Sequence, residues 1–178
     1  DDYPIKEAAE LIKKSKKPLI ISGGGVLYSD ATDELSSFAT QHNIHVTQTV
    51  MGYSTMKKDH SHYLGAIGGL GGRAANNLSK ETDMAIAIGT KLADFTTGSW
   101  ANFENPDFKL VSINAGRFDA NKHMAQAIVG DAKVSLMELS QALGNWKADD
   151  DWYKKSRIEL KNWESYVDKE SGPTNQKL

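Results

Sequence analysis

Pro18-Leu19-Ile20-Ile21-Ser22 runs straight into Gly23-Gly24-Gly25. An apolar run without polar alternation is what a strand covered on both faces shows. Glycine lets the backbone take positive φ and lets another group come close to the main chain. The stretch therefore reads as a buried parallel strand entering a tight turn before a helix, the frame of a nucleotide-type pocket. A second cluster, Gly65-Ala66-Ile67-Gly68-Gly69-Leu70-Gly71-Gly72, stands directly before the helix-like Arg73-Ala74-Ala75-Asn76-Asn77-Leu78. The two clusters hold eight of the fifteen glycines, so backbone freedom is concentrated in two strand-end loops.

Outward from these loops the chain alternates short apolar runs with helical patterns. Ile5, Ala8, Ala9 and Ile12 predict an amphipathic helix over 4–15, with Pro4 in its first turn. Lys13, Lys14, Lys16 and Lys17 crowd its end, as a solvated helix terminus or as an anion site. Asp30 is placed to cap a helix with Ala31, Leu35, Phe38 and Ala39 inside. Further strands are predicted at 44–47, at 84–88 closed by Gly89, at 108–113, and at 127–129 closed by Gly130. Residues 50–64 read as loop and 73–80 as a short helix. Asp131 should cap a helix carrying Ala132, Leu136, Leu139 and Leu143 and ending at Gly144. This order predicts an α/β fold: a Rossmann-like parallel sheet flanked by helices, of the NAD/FAD-binding kind of topology. Ligands of such sheets sit at the carboxyl ends of the strands, where strand order reverses.

Composition narrows the function. The 178 residues suffice for one sizeable core, and the net charge of −2 argues against a nucleic-acid or acidic-membrane surface. With no cysteine, disulfide and thiolate chemistry are excluded, which fits a cytoplasmic location. No apolar run approaches the ~20 residues of a membrane-spanning helix. Residues 1–144 read as one domain. Residues 145–178 differ: Trp152, Tyr153, Leu160, Trp163 and Val167 roughly share one face of a charged helix, and a polar tail follows. The start at Asp1-Asp2-Tyr3-Pro4 and the polar end suggest a piece of something longer.

The chemistry-bearing residues each admit two readings. Gly23-Gly24-Gly25 lacks the spacing of the dinucleotide fingerprint, and there is no Walker-type Gly-Lys-Ser/Thr. The triple glycine is thus a phosphate contact or a tight strand-to-helix packing. The second cluster is a site of close approach by a ligand or partner, or a mobile loop. His60 and His62 could share one side of an extended segment, but no third ligand stands at a metal spacing. His123 falls in a polar turn. Arg73 could hold a phosphate or carboxylate, or form a salt bridge. Asp94, Thr96, Thr97 and Ser99 could serve a pocket or cap turns. No Ser-His-Asp set and no carboxylate pair stands out, so no catalytic and no metal-binding residue is assigned.

The order of these pieces resembles the central domain of thiamine-diphosphate-dependent enzymes of the acetolactate synthase and pyruvate decarboxylase group. The residues that carry it are 17–25, 64–71, Ala74-Ala75-Asn76, 83–94, Leu110-Val111-Ser112-Ile113-Asn114 and Val129-Gly130-Asp131-Ala132-Lys133. Phe95-Thr96-Thr97-Gly98-Ser99-Trp100 and the run 112–120 are most similar to the branch of hydrolases that open a cyclic diketone in inositol catabolism. The resemblance implies a parent that uses thiamine diphosphate and Mg2+ and is a homo-oligomer. It places the activating Glu in an N-terminal domain and the Gly-Asp-Gly metal motif in a C-terminal one, with 145–178 leading to the latter. Gly130-Asp131-Ala132 departs from that motif, so this chain is expected to be catalytically silent. Some relatives hold FAD or ADP in this domain, with Asp or Glu where this chain has Asn114; the alternatives to a spacing role are the middle domain of an acetolactate-synthase-like enzyme binding FAD or ADP, and a free-standing nucleotide-binding module. The implied contact residues are Gly23, Gly24, Gly25, Gly69, Gly71, Gly89, Thr90 and Asn114.

Overall fold

The computed structural model describes residues 3–171. Six parallel strands form one sheet: β1 (Pro18–Ser22), β2 (Val46–Gln48), β3 (Tyr63–Ala66), β4 (Met84–Ile88), β5 (Lys109–Asn114) and β6 (Gln126–Val129), in the order β3-β2-β1-β4-β5-β6. β1 is central and pairs with β2 through Ile20 and Val46 and with β4 through Ile20 and Ile86. Every residue of β1 and β4 is buried, as the unalternating sequence requires.

Two apolar layers sandwich the sheet. On one face Ile20, Val46, Ile86 and Val111 pack beneath α1 (Tyr3–Lys13), α3 (Thr32–His42) and α7 (Ala132–Leu143). The five-residue α2 (Gly24–Tyr28) precedes α3. On the other face Leu19, Ile21, Ala85 and Ala87 meet Ala74, Ala75 and Leu78 of α4 (Arg73–Glu81). Two four-residue helices, α5 (Asp94–Thr97) and α6 (Arg117–Ala120), follow β4 and β5.

The charged helix α8 (Asp150–Glu170) finds its surface on this same domain, against α4 and β3. Trp152 is buried and its indole N–H donates to the Pro18 carbonyl at 3.0 Å. A Cβ on Gly72 would stand 2.7 Å from Trp163 Nε1, so only a glycine lets that indole seat at the start of α4. Ser156 and Leu160 continue the buried stripe, whereas Val167 lies beyond it and is exposed. The tail after residue 171 lies outside the described residues.

The sheet has one strand more than the sequence patterns indicate. β3 falls at the end of the stretch read as loop, because Gly65 interrupts its apolar pattern at a φ of 92°. Asp30 does not cap α3. Its own φ is 48°, Ala31 takes the N-cap position, and no side chain bonds the helix start there. Asp131 does cap α7, its carboxylate accepting from the Lys133 and Val134 N–H groups.

Candidate functional site at the strand ends

β1 leads on to β2 on one side while β4, on its other side, leads on to β5, so the chain runs opposite ways from these two strand ends and a crevice opens above them. It measures about 790 Å³. Gly24, Gly25, Gly89, Thr90 and Asn114 of the predicted contact residues line it. Gly23, Gly69 and Gly71 do not.

Gly23 sits under the crevice. Its N–H donates to the Ile88 carbonyl at 2.8 Å and the Gly25 N–H donates to the Gly89 carbonyl at 2.9 Å. A Cβ on Gly25 would lie 2.5 Å from Gly89 Cα, and Gly89 itself has φ 60°, so the two loops touch backbone to backbone. The second cluster folds against the loop after β4 in the same way. Gly69 N–H donates to the Phe95 carbonyl at 2.9 Å, and the Asn76 side chain clasps Gly68 with bonds of 2.9 and 3.1 Å. Gly71 N–H closes a turn onto the Gly68 carbonyl at 2.8 Å. Loop-to-loop packing thus accounts for glycine at Gly23, Gly25 and Gly69.

Asn114 spends both ends of its amide locally: its NH2 donates to the Thr90 carbonyl at 3.1 Å and its oxygen accepts from the Gly116 N–H at 2.9 Å. Much of the remaining wall is apolar, from Val50, Met51, Phe95, Ile113 and Ala115. These residues escape a search for reactive groups. The signal that marks them is position, since each lies in or beside a segment leaving a strand end. Asp119 shares the wall but is paired with Lys122 at 2.6 Å.

The other candidates take structural roles. Lys13 pairs with Glu10 at 3.1 Å and Lys17 with Glu81 at 3.3 Å, while Asp83 accepts from the Lys16 and Lys17 backbone. The Arg73 guanidinium lies over Tyr166 at 4.7 Å and Trp163 at 5.7 Å, a cation–π seat for α8. Of the loop after β4, Thr96 reaches the crevice, Asp94 opens α5, and the Thr97 hydroxyl accepts from the Trp100 N–H at 3.2 Å. His123, with φ 60°, packs its ring at a tilt of 54° against Trp100, 4.3 Å between centroids.

His60 and His62 gather with His45 under α8 rather than at the crevice. The ring centroids of His45 and His62 are 5.6 Å apart and those of His60 and His62 are 5.7 Å apart. His45 is wholly buried and neither ring nitrogen has a hydrogen-bond partner. Burial, then the nearby His62 and Arg157, lowers its pKa to about 3. Burial, then His60 and Arg157, lowers that of His62 to about 4. Both rings are therefore neutral at pH 7.

Among the described residues no group of three or more His, Cys, Asp or Glu could hold a metal ion. The Asp131 carboxylate is taken up as a helix cap. These residues do not fit a metal-anchored diphosphate cofactor, and no reaction step is assigned to them. No helix among the described residues is long and apolar enough to cross a membrane.

Residues 5–139 match the family model described as thiamine pyrophosphate enzyme, central domain. The chain is 44% identical over 138 residues to the 3D-(3,5/4)-trihydroxycyclohexane-1,2-dione hydrolase of Clostridium perfringens strain 13, covering 78% of this chain and 22% of that protein. It is 45% identical over 137 residues to the protein of that name from Clostridium botulinum strain Eklund 17B, with 77% and 21% covered. For the Clostridium tetani protein of that name the identity is 38% over 165 residues, with 93% and 26% covered. The chain thus spans only about a quarter or less of the length of these relatives.

Proposed function

The chain belongs to the family of thiamine pyrophosphate enzyme central domains, and from that membership we propose that it is the non-catalytic middle of a thiamine-diphosphate-dependent hydrolase. In this reading the parent hydrolyses a C–C bond of a cyclic dione; the name of its relatives, trihydroxycyclohexane-1,2-dione hydrolase, supports a cyclic dione as the substrate. The observation that carries the non-catalytic reading is the crevice wall. It offers packed backbone, apolar side chains, a locally bonded Asn114 and an ion-paired Asp119, and it brings no acid–base pair together.

In this reading residues 1–144 space two flanking cofactor-binding domains, and 145–178 lead toward the C-terminal one. Thiamine diphosphate and Mg2+ are held outside this chain, in a cytoplasmic homo-oligomer. The strand-end crevice, with Gly24, Gly25, Gly89, Thr90 and Asn114 in its wall, is the domain's contact site. Expression of the parent with and without residues 5–139 tests the assignment. The full parent should open the trihydroxycyclohexanedione in the presence of the coenzyme and Mg2+. A parent that leaves the dione intact while binding the coenzyme would refute the proposed activity.

A further inference from the structure

We infer that the strand-end crevice and its rim dock an apolar segment of an adjoining domain of the parent protein, and that the crevice is not a nucleotide site. The inference rests on the reading of the chain as a central domain.

A diphosphate at such a crevice needs free backbone N–H groups at a helix start. Here the Gly23, Gly25 and Val26 N–H groups already donate to the Ile88, Gly89 and Gly23 carbonyls, at 2.8, 2.9 and 3.1 Å. The helix they open, α2, has five residues, too few to build a strong dipole. A ribose would need a side chain at the end of β5, and both polar ends of Asn114 are engaged, one by the Thr90 carbonyl after β4 and one by the Gly116 N–H of its own loop. Among the described residues Lys91 is the one cation in the wall, and Asp119 stands in the same wall.

What the crevice offers instead is apolar surface, and it continues outward. The segments after five successive strands each present a large exposed apolar side chain: Tyr28 after β1, Met51 after β2, Leu70 after β3, Phe95 after β4 and Phe118 after β5. Their exposures run from 54% for Phe95 to 88% for Tyr28. Tyr28, Met51 and Phe95 line the crevice itself, and Leu70 and Phe118 stand on further loops at the same end of the sheet. One such residue is ordinary on a protein surface, but five at one edge of one sheet mark an interaction surface.

The occupant comes from the parent. The relatives carry about three-quarters or more of their length outside the matched region, so a covalently tethered partner is at hand at high local concentration. A second copy meeting this edge symmetrically would bring one concavity against another. The complementary shape is a protruding apolar segment, such as a helix or loop of a flanking domain.

The absence of cysteine from these 178 residues permits a direct test. Met51→Cys, Leu70→Cys and Phe118→Cys are made singly in the full-length parent, with Met137→Cys on the exposed face of α7 as reference. The parent without an added cysteine supplies the background, and thermal melts confirm that each variant folds. The rim thiols are expected to react with a maleimide about tenfold more slowly than the reference thiol, because reaction requires access. Rim thiols that react as fast as the reference overturn the inference, as does slowing of the Met51→Cys thiol by ADP or FAD. Dione opening is assayed separately on the same parent. An active parent with unprotected rim thiols sinks the docking surface alone, and an inactive parent with protected thiols sinks the activity alone.

Discussion

Tyr153 of α8 stacks on the buried imidazole of His45 with 4.7 Å between centroids and an interplanar angle of 28°. The Tyr153 hydroxyl reaches on to donate to the Ser61 carbonyl at 3.3 Å, and Asn43 donates to Asp150 at 3.0 Å. One end of the helix that follows the α/β body is therefore pinned over three histidines. His45 is wholly buried beneath this contact, and neither of its ring nitrogens has a hydrogen-bond partner among the described residues.

That burial makes the seat of α8 acid-sensitive. Unfolded, a histidine titrates near 6.5, whereas His45 and His62 are lowered to about 3 and about 4, and burial lowers His42 as well. Protons thus bind the unfolded chain first. The stabilisation is complete above pH 6.5 and is lost as pH falls toward the folded values. Each neutral histidine can contribute a slope of up to about 1.4 kcal/mol per pH unit in that window. The urea midpoint should stay level from pH 8 to 7 and fall between pH 6.5 and 4. His45→Phe should keep the stack and flatten the fall. An unchanged slope in that variant would remove His45 from the account.

Trp152 should be the strongest single anchor of α8. Trp152→Ala removes a buried indole and is expected to cost about 3–5 kcal/mol. Trp152→Phe keeps much of the packing but strands the Pro18 carbonyl, at about 1–3 kcal/mol. Urea unfolding of the two variants, with hydrogen exchange along α8 as a local readout, distinguishes the packing loss from the hydrogen-bond loss.

Gly25→Ala should destabilise the domain by about 1–3 kcal/mol, because the new methyl group meets Gly89 main chain, which cannot swing aside. Gly89→Ala should cost more, adding a left-handed backbone to the clash. Thermal melts check both. A neutral Gly25→Ala would mean that the two loops are not in contact in solution.

Much of this architecture is legible in the residues themselves. β1 and β4 are buried on both faces, so their patterns are continuous, and the carboxylate of Asp131 announces α7. β3 is hidden because an edge strand of four residues with a positive-φ glycine has no local period to show. The crevice is legible as a place but not in its character. That Gly23 and Gly25 serve a neighbouring loop is a matter of what stands opposite them, and Gly89 lies more than sixty residues away in sequence. The seat of Arg73 is hidden for a like reason: its partners, Trp163 and Tyr166, are on a helix far along the chain.

The central claim is that this chain is an inert middle domain of a larger catalyst, and turnover of the trihydroxycyclohexanedione tests it most directly. Supplied with thiamine diphosphate and Mg2+, the full-length parent should consume the dione, and the purified 178-residue chain at equal concentration should leave it untouched. Consumption of the dione by the 178-residue chain alone would contradict the account.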